Sequence, residues 1–206
     1  MVCPFKNYSE FAMARPREFD EERVLDAVME TFWRNGYEGT SAQDLVDATG
    51  LGRGSLYAAY ASKDGLFEQA LLRYRKRAQA HVQQLRKPGS PVRRLRELMQ
   101  GIVDADLKAS MKRGCLATNS AIEVAGRDPR VADLVRQNFT ILLQGLEETI
   151  QRGQAVGEIR TNADATILAL FVLNAVQGLR VLAKAMTAQD RAKLTAVIDQ
   201  TLAALT

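Results

Sequence analysis

The residues able to do covalent or acid–base chemistry are few. Two cysteines, Cys3 and Cys115, and one histidine, His81, are all the chain carries of the most reactive types. A thiol nucleophile needs a base within hydrogen-bond reach, and a metal needs three or four ligands at set spacings. His81 sits in a polar stretch, Gln79 to Gln84, and no Cys/His, Ser/His/Asp or metal-ligand pattern surrounds it or Cys115. An all-helical enzyme using Cys115 is thus a rival reading without supporting partners, and no catalytic residue, metal or cofactor is expected. Two cysteines allow one bridge at most, and a link from chain end to helical interior does not suit a reducing cytosol. Both are read as thiols.

A different pattern lies between residues 40 and 60. In Thr40-Ser41-Ala42-Gln43-Asp44-Leu45 both Thr40 and Ser41 stand at capping-box spacing from a polar side chain three residues on, Gln43 and Asp44. A short helix should start there and end at Gly50, whose backbone freedom suits a tight turn. A second short helix should run from about Gly52 to Ala59, with Leu45, Leu51 and Leu56 spaced to pack the two together. This is a helix-turn-helix, a unit that puts its second helix in the major groove while the first meets the phosphate backbone. A protein-binding adaptor built on the same unit is the other rival.

The elements that must position this unit all read as helices. Asp20 is placed to cap the first, with Glu21 and Glu22 favouring its positive end, Phe19 stapling onto Val24, and Val24, Leu25, Val28 and Phe32 on one face. Asn35-Gly36 should stop it. A long helix should follow from Ser62-Lys63-Asp64 to about Arg86, broken by Lys87-Pro88-Gly89-Ser90-Pro91. Further helices are expected over about 91–109 and 115–125, from Asp128-Pro129 to Gly153, over about 162–185, and from Thr187 to the C-terminus. No segment alternates like a strand, so the fold class is all α.

From Phe19 to Leu72 the chain resembles the DNA-binding region of the TetR family of transcriptional regulators. The matching residues are Phe32, Trp33, Gly36 and Tyr37, then Thr40, Gly50-Leu51, Gly54-Ser55-Leu56-Tyr57, Tyr60, Ser62-Lys63 and Leu66-Phe67. A weaker likeness continues in Gly157-Glu158-Ile159-Arg160 and the Ala-rich helix containing Gly178-Leu179. The resemblance implies phosphate contacts from Thr40, Ser41, Tyr60 and Lys63, and base-edge reading by Arg53, Ser55 and Tyr57. The chemistry agrees: arginine grips guanine through two hydrogen bonds, serine bonds to several bases, and a tyrosine ring touches a thymine methyl. Structural alternatives stay open, with Tyr57 as a core residue and Thr40 and Ser41 as caps only. The basic run Arg73 to Arg77 is read as a solvated face rather than a DNA contact. Where the family usually opens the recognition helix with Ser or Thr this chain has Gly52, a weaker cap, and Ala58-Ala59 replace an aromatic or His.

The resemblance also implies the partners: a double-stranded DNA operator, a small-molecule inducer, and a second copy of the chain. Three parts are expected, an arm over 1–18 with Arg15 and Arg17 reaching DNA, the helix-turn-helix domain over 19–64, and a ligand-binding and dimerisation domain over 65–206. The homodimer should form through the helices at about 162–185 and 187–205. The first is apolar on nearly every side, and the second carries a stripe of Leu194, Val197, Ile198, Leu202 and Leu205. The inducer pocket should lie among the helices between 91 and 180. Asn119, Glu123, Asn138, Asn174 and Gln177 are polar positions there to which no role is assigned. Cys115 is a possible sensor, because some family members that respond to electrophiles or oxidants carry a cysteine at a similar helix start. Lys112, Arg113 and the helix dipole would there lower the thiol pKa. A small buried thiol is the alternative.

Bulk properties fit. Of 206 residues, 47% are hydrophobic and 25% charged, a globular composition. The net charge is +4, but residues 1–87 carry 13 Lys/Arg against 12 Asp/Glu, so any DNA footprint must be a local patch. The apolar run Ala165 to Val176 is shorter than the ~20 residues a membrane span needs, and no signal peptide is expected, which places the protein in the cytoplasm.

Overall fold

The computed structural model describes residues 19–206. The expected arm, with Arg15, Arg17 and Cys3, lies outside the described residues. Among those described there are nine α-helices, one 3-10 turn and no strand. They are α1 (Glu21–Asn35), α2 (Ala42–Thr49), α3 (Arg53–Tyr60), α4 (Lys63–Leu85), α5 (Pro91–Lys108), α6 (Leu116–Glu123), α7 (Pro129–Ala155), α8 (Ala165–Ala185) and α9 (Arg191–Ala203).

The caps explain most boundaries. Asp20, Ser41, Ser62, Ser90, Asp128 and Asp164 each accept a hydrogen bond from a backbone N–H in the following first turn, and Pro91 and Pro129 open their helices without losing a bond. Gly36 ends α1 at φ 76°, as expected. Two expectations fail. Gly153 does not close α7, which runs on to Ala155; the left-handed residue is Gly157, at φ 74°. Gly153 is instead a packing position, where a Cβ would sit 2.6 Å from Ile159 Cδ1. Thr187 and Asp190 do form a capping box, but it opens a single 3-10 turn, Ala188–Asp190, before α9.

Two apolar clusters hold the chain. One gathers α1–α3 and the first half of α4 around Phe32, Phe67, Leu45 and Leu56, and it extends into Leu116 of α6 and Val131 and Val135 of α7. The other joins the end of α4 to α5, α7, α8 and α9. The long α4 belongs to both. Near its C-terminal end it crosses α7 closely: Gly145 faces Val82, and a Cβ there would stand 2.7 Å from Val82 Cγ2.

The last two helices differ from expectation in what they bury. Leu194, Ile198, Leu202 and Leu205 are buried within their own subunit, leaving Val197 of the expected α9 stripe 43% exposed. On α8, Ile167, Leu170, Phe171, Val181 and Leu182 face outward, spaced at three and four residues along one side, with exposed Asn174 and Gly178 between them. By length and hydropathy α8 could cross a membrane, but its other side, with Leu168, Val172 and Val176, is core.

Candidate functional site

The helix-turn-helix is built by local hydrogen bonds. Ser41 Oγ accepts from the Asp44 N–H at 3.1 Å while Asp44 accepts from the Ser41 N–H at 2.7 Å, so the Ser41–Asp44 capping box forms and the Thr40–Gln43 one does not. Thr40 turns inward: it is 1% exposed and its hydroxyl donates to the Gly36 carbonyl at 2.6 Å. The expected phosphate contact from Thr40 therefore has no side chain facing outward, because the hydroxyl is used to lock the end of α1 to the start of α2. Gly50 takes the left-handed conformation, φ 71° and ψ 11°, and Thr49 Oγ1 accepts from the Leu51 N–H at 3.3 Å, which completes the turn.

That turn presents α3 with one face to the core and one outward. Leu56 is fully buried, whereas Arg53, Gly54, Ser55 and Ala58 are exposed and Gly52 caps the helix without a side-chain bond. Tyr57 is half-buried against the core, with the Arg53 guanidinium 5.9 Å from its ring centroid. Tyr60 is nearly buried, and its hydroxyl donates to Glu21 at 3.4 Å. Ala61 then holds φ 64°, a sharp reversal that separates α3 from α4. At the start of α4, Lys63 Nζ lies 4.4 Å from the Tyr37 ring centroid. The Tyr37 hydroxyl donates to Asp64, and that bond pushes its pKa up to about 12. Ser41, Arg53 and Ser55 are thus exposed and Tyr57 and Lys63 partly so, while Thr40 and Tyr60 mainly tie the unit together.

The run Arg73 to Arg77 leaves Lys76 and Arg77 exposed, as expected of a solvated face, but covers Arg73 and pairs it with acids of α1. Arg73 pairs with Glu22 at 2.8 Å and with Asp26, Lys76 pairs with Glu22 at 3.0 Å, and Arg77 approaches Glu30 at 3.8 Å. Facing acids on α1 are what the sequence pattern of α4 alone could not reveal.

A second site lies deeper. A cavity of about 30 Å³ opens among α4–α8, with Tyr74, His81, Cys115, Asn138, Phe139 and Arg180 in its wall. His81 is half-buried here rather than on a polar surface, and burial, aided by Arg180 and Arg77, brings its pKa down to about 4. Asn138 is 3% exposed; its amide donates to the carbonyls of Leu71 at 3.1 Å and Leu134 at 2.9 Å. Arg180 donates to both carboxylate oxygens of Asp106, at 2.9 and 3.3 Å. Cys115 is 6% exposed, sits at the N-cap of α6, and lies 3.7 Å from the Tyr74 hydroxyl, which donates to its sulfur. The cations expected beside it are engaged elsewhere, Lys112 with the Met186 carbonyl and Arg113 with Glu30 and the Trp33 ring.

One peptide beside the cavity is held from both sides. The Gly114 carbonyl accepts from Trp33 Nε1 of α1 at 3.0 Å and from Arg180 of α8 at 2.6 Å. Glu123 of α6 adds a second clamp, accepting from the N–H groups of Tyr37 at 3.0 Å and Glu38 at 2.8 Å. Sequence reasoning missed His81, Arg180 and this double hold on Gly114. Asn138, Gln177 and Glu123 did give a signal, as polar residues in apolar helices, and so did Cys115 at its helix start.

A short exposed helix set after a left-handed turn, carried by a helical body with an internal cavity, defines a helix-turn-helix transcriptional regulator. The chain belongs to the TetR family. Residues 24–70 match the family described as bacterial regulatory proteins, tetR family, and residues 91–199 match the tetracyclin repressor-like C-terminal domain. The transcriptional repressor ComR of Escherichia coli is 31% identical over 172 residues, 82% of either chain. The transcriptional regulator YezE of Bacillus subtilis is 33% identical over 181 residues, 87% of this chain and 93% of its own. Among solved structures, a cysteine-substituted TetR family regulator CifR in complex with 26-base-pair operator DNA is 31% identical, with a TM-score of 0.81 over 94% of this chain and 100% of that one.

Proposed function

We propose that this protein is a cytoplasmic repressor that binds a near-palindromic operator as a homodimer and releases it when a small molecule or an electrophile or oxidant reaches the cavity. The observation that carries the reading is the outward placement of Arg53 and Ser55 on α3 behind the left-handed Gly50 turn. It is supported by the similar CifR fold on operator DNA. Arg53, Ser55 and Tyr57 read bases, while Ser41 and Lys63 hold phosphates. Thr40 and Tyr60 serve the DNA surface by fixing the ends of α1, α2 and α3. The division of labour follows the chain, with 1–18 as an arm, 19–64 as the DNA-binding domain and 65–206 as the sensing and pairing domain.

The outward apolar side of α8, joined by Val197 of α9, is the surface a second copy covers. Pairing there sets the two α3 helices about one turn of DNA apart, roughly 34–36 Å. A signal that favours another spacing needs only a modest difference in affinity between the two states to shift the balance. Cys115, one residue from the doubly held Gly114 carbonyl, is the group a reactive signal would modify, its thiol proton leaving as the new bond to sulfur forms.

Gel shifts on the promoter regions of the chain's own and neighbouring genes test the reading. A shifted band lost at higher salt and lost on adding the signal is expected; no shift on any of these fragments overturns it. Alkylation of Cys115 should release DNA, and an unchanged inducer response in Cys115→Ser would remove the thiol from the mechanism.

A further inference from the structure

We propose that the cavity among α4–α8 selects a small uncharged molecule that donates a hydrogen bond to Asn138 Oδ1. The inference rests on reading that cavity as the signal site and adds the chemistry of what enters it.

The orientation of the Asn138 amide is fixed by its own bonds. Both Nδ2 hydrogens go to main-chain carbonyls, Leu71 on α4 and Leu134 one turn back on α7. Oδ1 is therefore left without a partner among the described residues, as is His81 Nδ1 on α4, and both residues line the cavity. A buried acceptor without a donor is costly, so a ligand that supplies one is favoured over a shape-matched molecule that cannot.

Charge in the wall excludes ions of either sign. Two guanidiniums, Arg77 and Arg180, border the cavity, which disfavours a cation. Each already has an acidic partner, Glu30 at 3.8 Å for Arg77 and Asp106 at 2.9 Å for Arg180, which offsets the attraction of either cation for an anion. His81, held neutral with a pKa of about 4, adds no charge near pH 7. Phe139, Leu142 and Val176 supply an apolar surface for a short carbon chain. The volume of about 30 Å³ is small, since a single water needs roughly 10–15 Å³, so the ligand has only a few heavy atoms unless the wall moves. A short-chain alcohol has all these properties.

Trp33, the one tryptophan in the chain, stacks edge-on against Tyr74 of the cavity wall at 5.1 Å and reports occupancy by fluorescence. The full-length protein is titrated with 1-butanol, methyl propyl ether, butyrate and butylammonium. A saturable Trp33 response to 1-butanol at a concentration roughly tenfold or more below that of the ether, with neither ion saturating in that range, is expected. Asn138→Leu should bring alcohol and ether to the same midpoint. If Asn138→Leu does not fold, the alcohol–ether comparison on the unaltered protein decides alone. Equal response to alcohol and ether, tighter binding of either ion, or no saturable response to the alcohol overturns the proposal. Repeating the titration on the operator complex separates the two readings. Saturation with DNA still bound supports the ligand class and overturns the cavity as the signal site, whereas operator binding without any alcohol response overturns the ligand class and leaves the repressor reading intact.

Discussion

Arg53 and Lys63 would fail in different ways. Arg53 stands exposed on α3, where a bidentate grip on guanine distinguishes one base pair. Arg53→Ala should cost about 1–3 kcal/mol on the cognate operator and relax one position of the site, as read by competition with single-base variants. Lys63, beside the Tyr37 ring at the start of α4, is a phosphate contact in the proposed complex. Lys63→Ala should weaken every sequence alike and lower the slope of log affinity against log salt by about one. His81 gives a pH prediction. The unfolded imidazole takes up its proton near pH 6.5 and the folded one near 4, so between those values the unfolded state binds more protons. Its contribution is full above about pH 6.5 and lost as pH falls towards 4, on the order of 3 kcal/mol for a shift of that size. Denaturant midpoints should thus fall more steeply with acid in the wild type than in His81→Gln; parallel profiles would mean the ring is not held neutral. The exposed residues of α3, Arg53 and Ser55, were legible in the sequence because their spacing is local. His81 was not, since its neighbours Gln79, Gln83 and Gln84 are polar and only α8 brings Arg180 to it.

Helix starts were legible at the caps Asp20, Ser41, Ser62 and Asp128, whereas the cap at Asp164 was missed and α8 was expected from about 162. Crossings were not legible. Gly145 reads as an unremarked residue inside a helical pattern, yet it lets α7 lie against Val82 of α4. Gly145→Ala places a methyl 2.7 Å from Val82 Cγ2 and should cost about 1–3 kcal/mol of unfolding free energy. The double variant Gly145→Ala with Val82→Ala should recover part of that loss, so additive losses in denaturant unfolding would mean the two residues do not share the crossing. Gly153 misled for the same reason: a glycine late in a helix resembles a terminator, but here Ile159 folds back over it. The ion pairs of the basic run on α4 were not legible because its partners, Glu22, Asp26 and Glu30, lie on another element.

At the scale of the whole molecule, the division into a DNA-binding and a sensing part does not separate the cores. The cluster around Phe32 and Phe67 includes Leu116 and Val131, so α6 and the start of α7 are built into the base of the helix-turn-helix. Movement at α6 must therefore be felt by α1, through packing as well as through the shared Gly114 carbonyl. In the proposed dimer the outer side of α8 is the pairing surface. Phe171→Asp removes two buried rings from a two-fold interface and adds two carboxylates, so the dimer dissociation constant should rise at least roughly 100-fold. Sedimentation velocity checks this, and an unaltered dimer would place the interface elsewhere. The sequence pointed to both final helices, but the apolar stripe of α9 is turned inward except at Val197.

The sequence by itself determined the elements and the DNA-binding unit. Capping residues, the Gly50 turn and the leucine spacing act within a few positions of one another, so the order of residues contains their physics. Only the tertiary structure decided what faces what: that Thr40 points inward, that α4 pairs its arginines with α1, and that Cys115, His81 and Asn138 share one cavity. Those relations join residues far apart in the chain, where burial, charge pairing and the loss of water are fixed by packing and leave no local pattern to read.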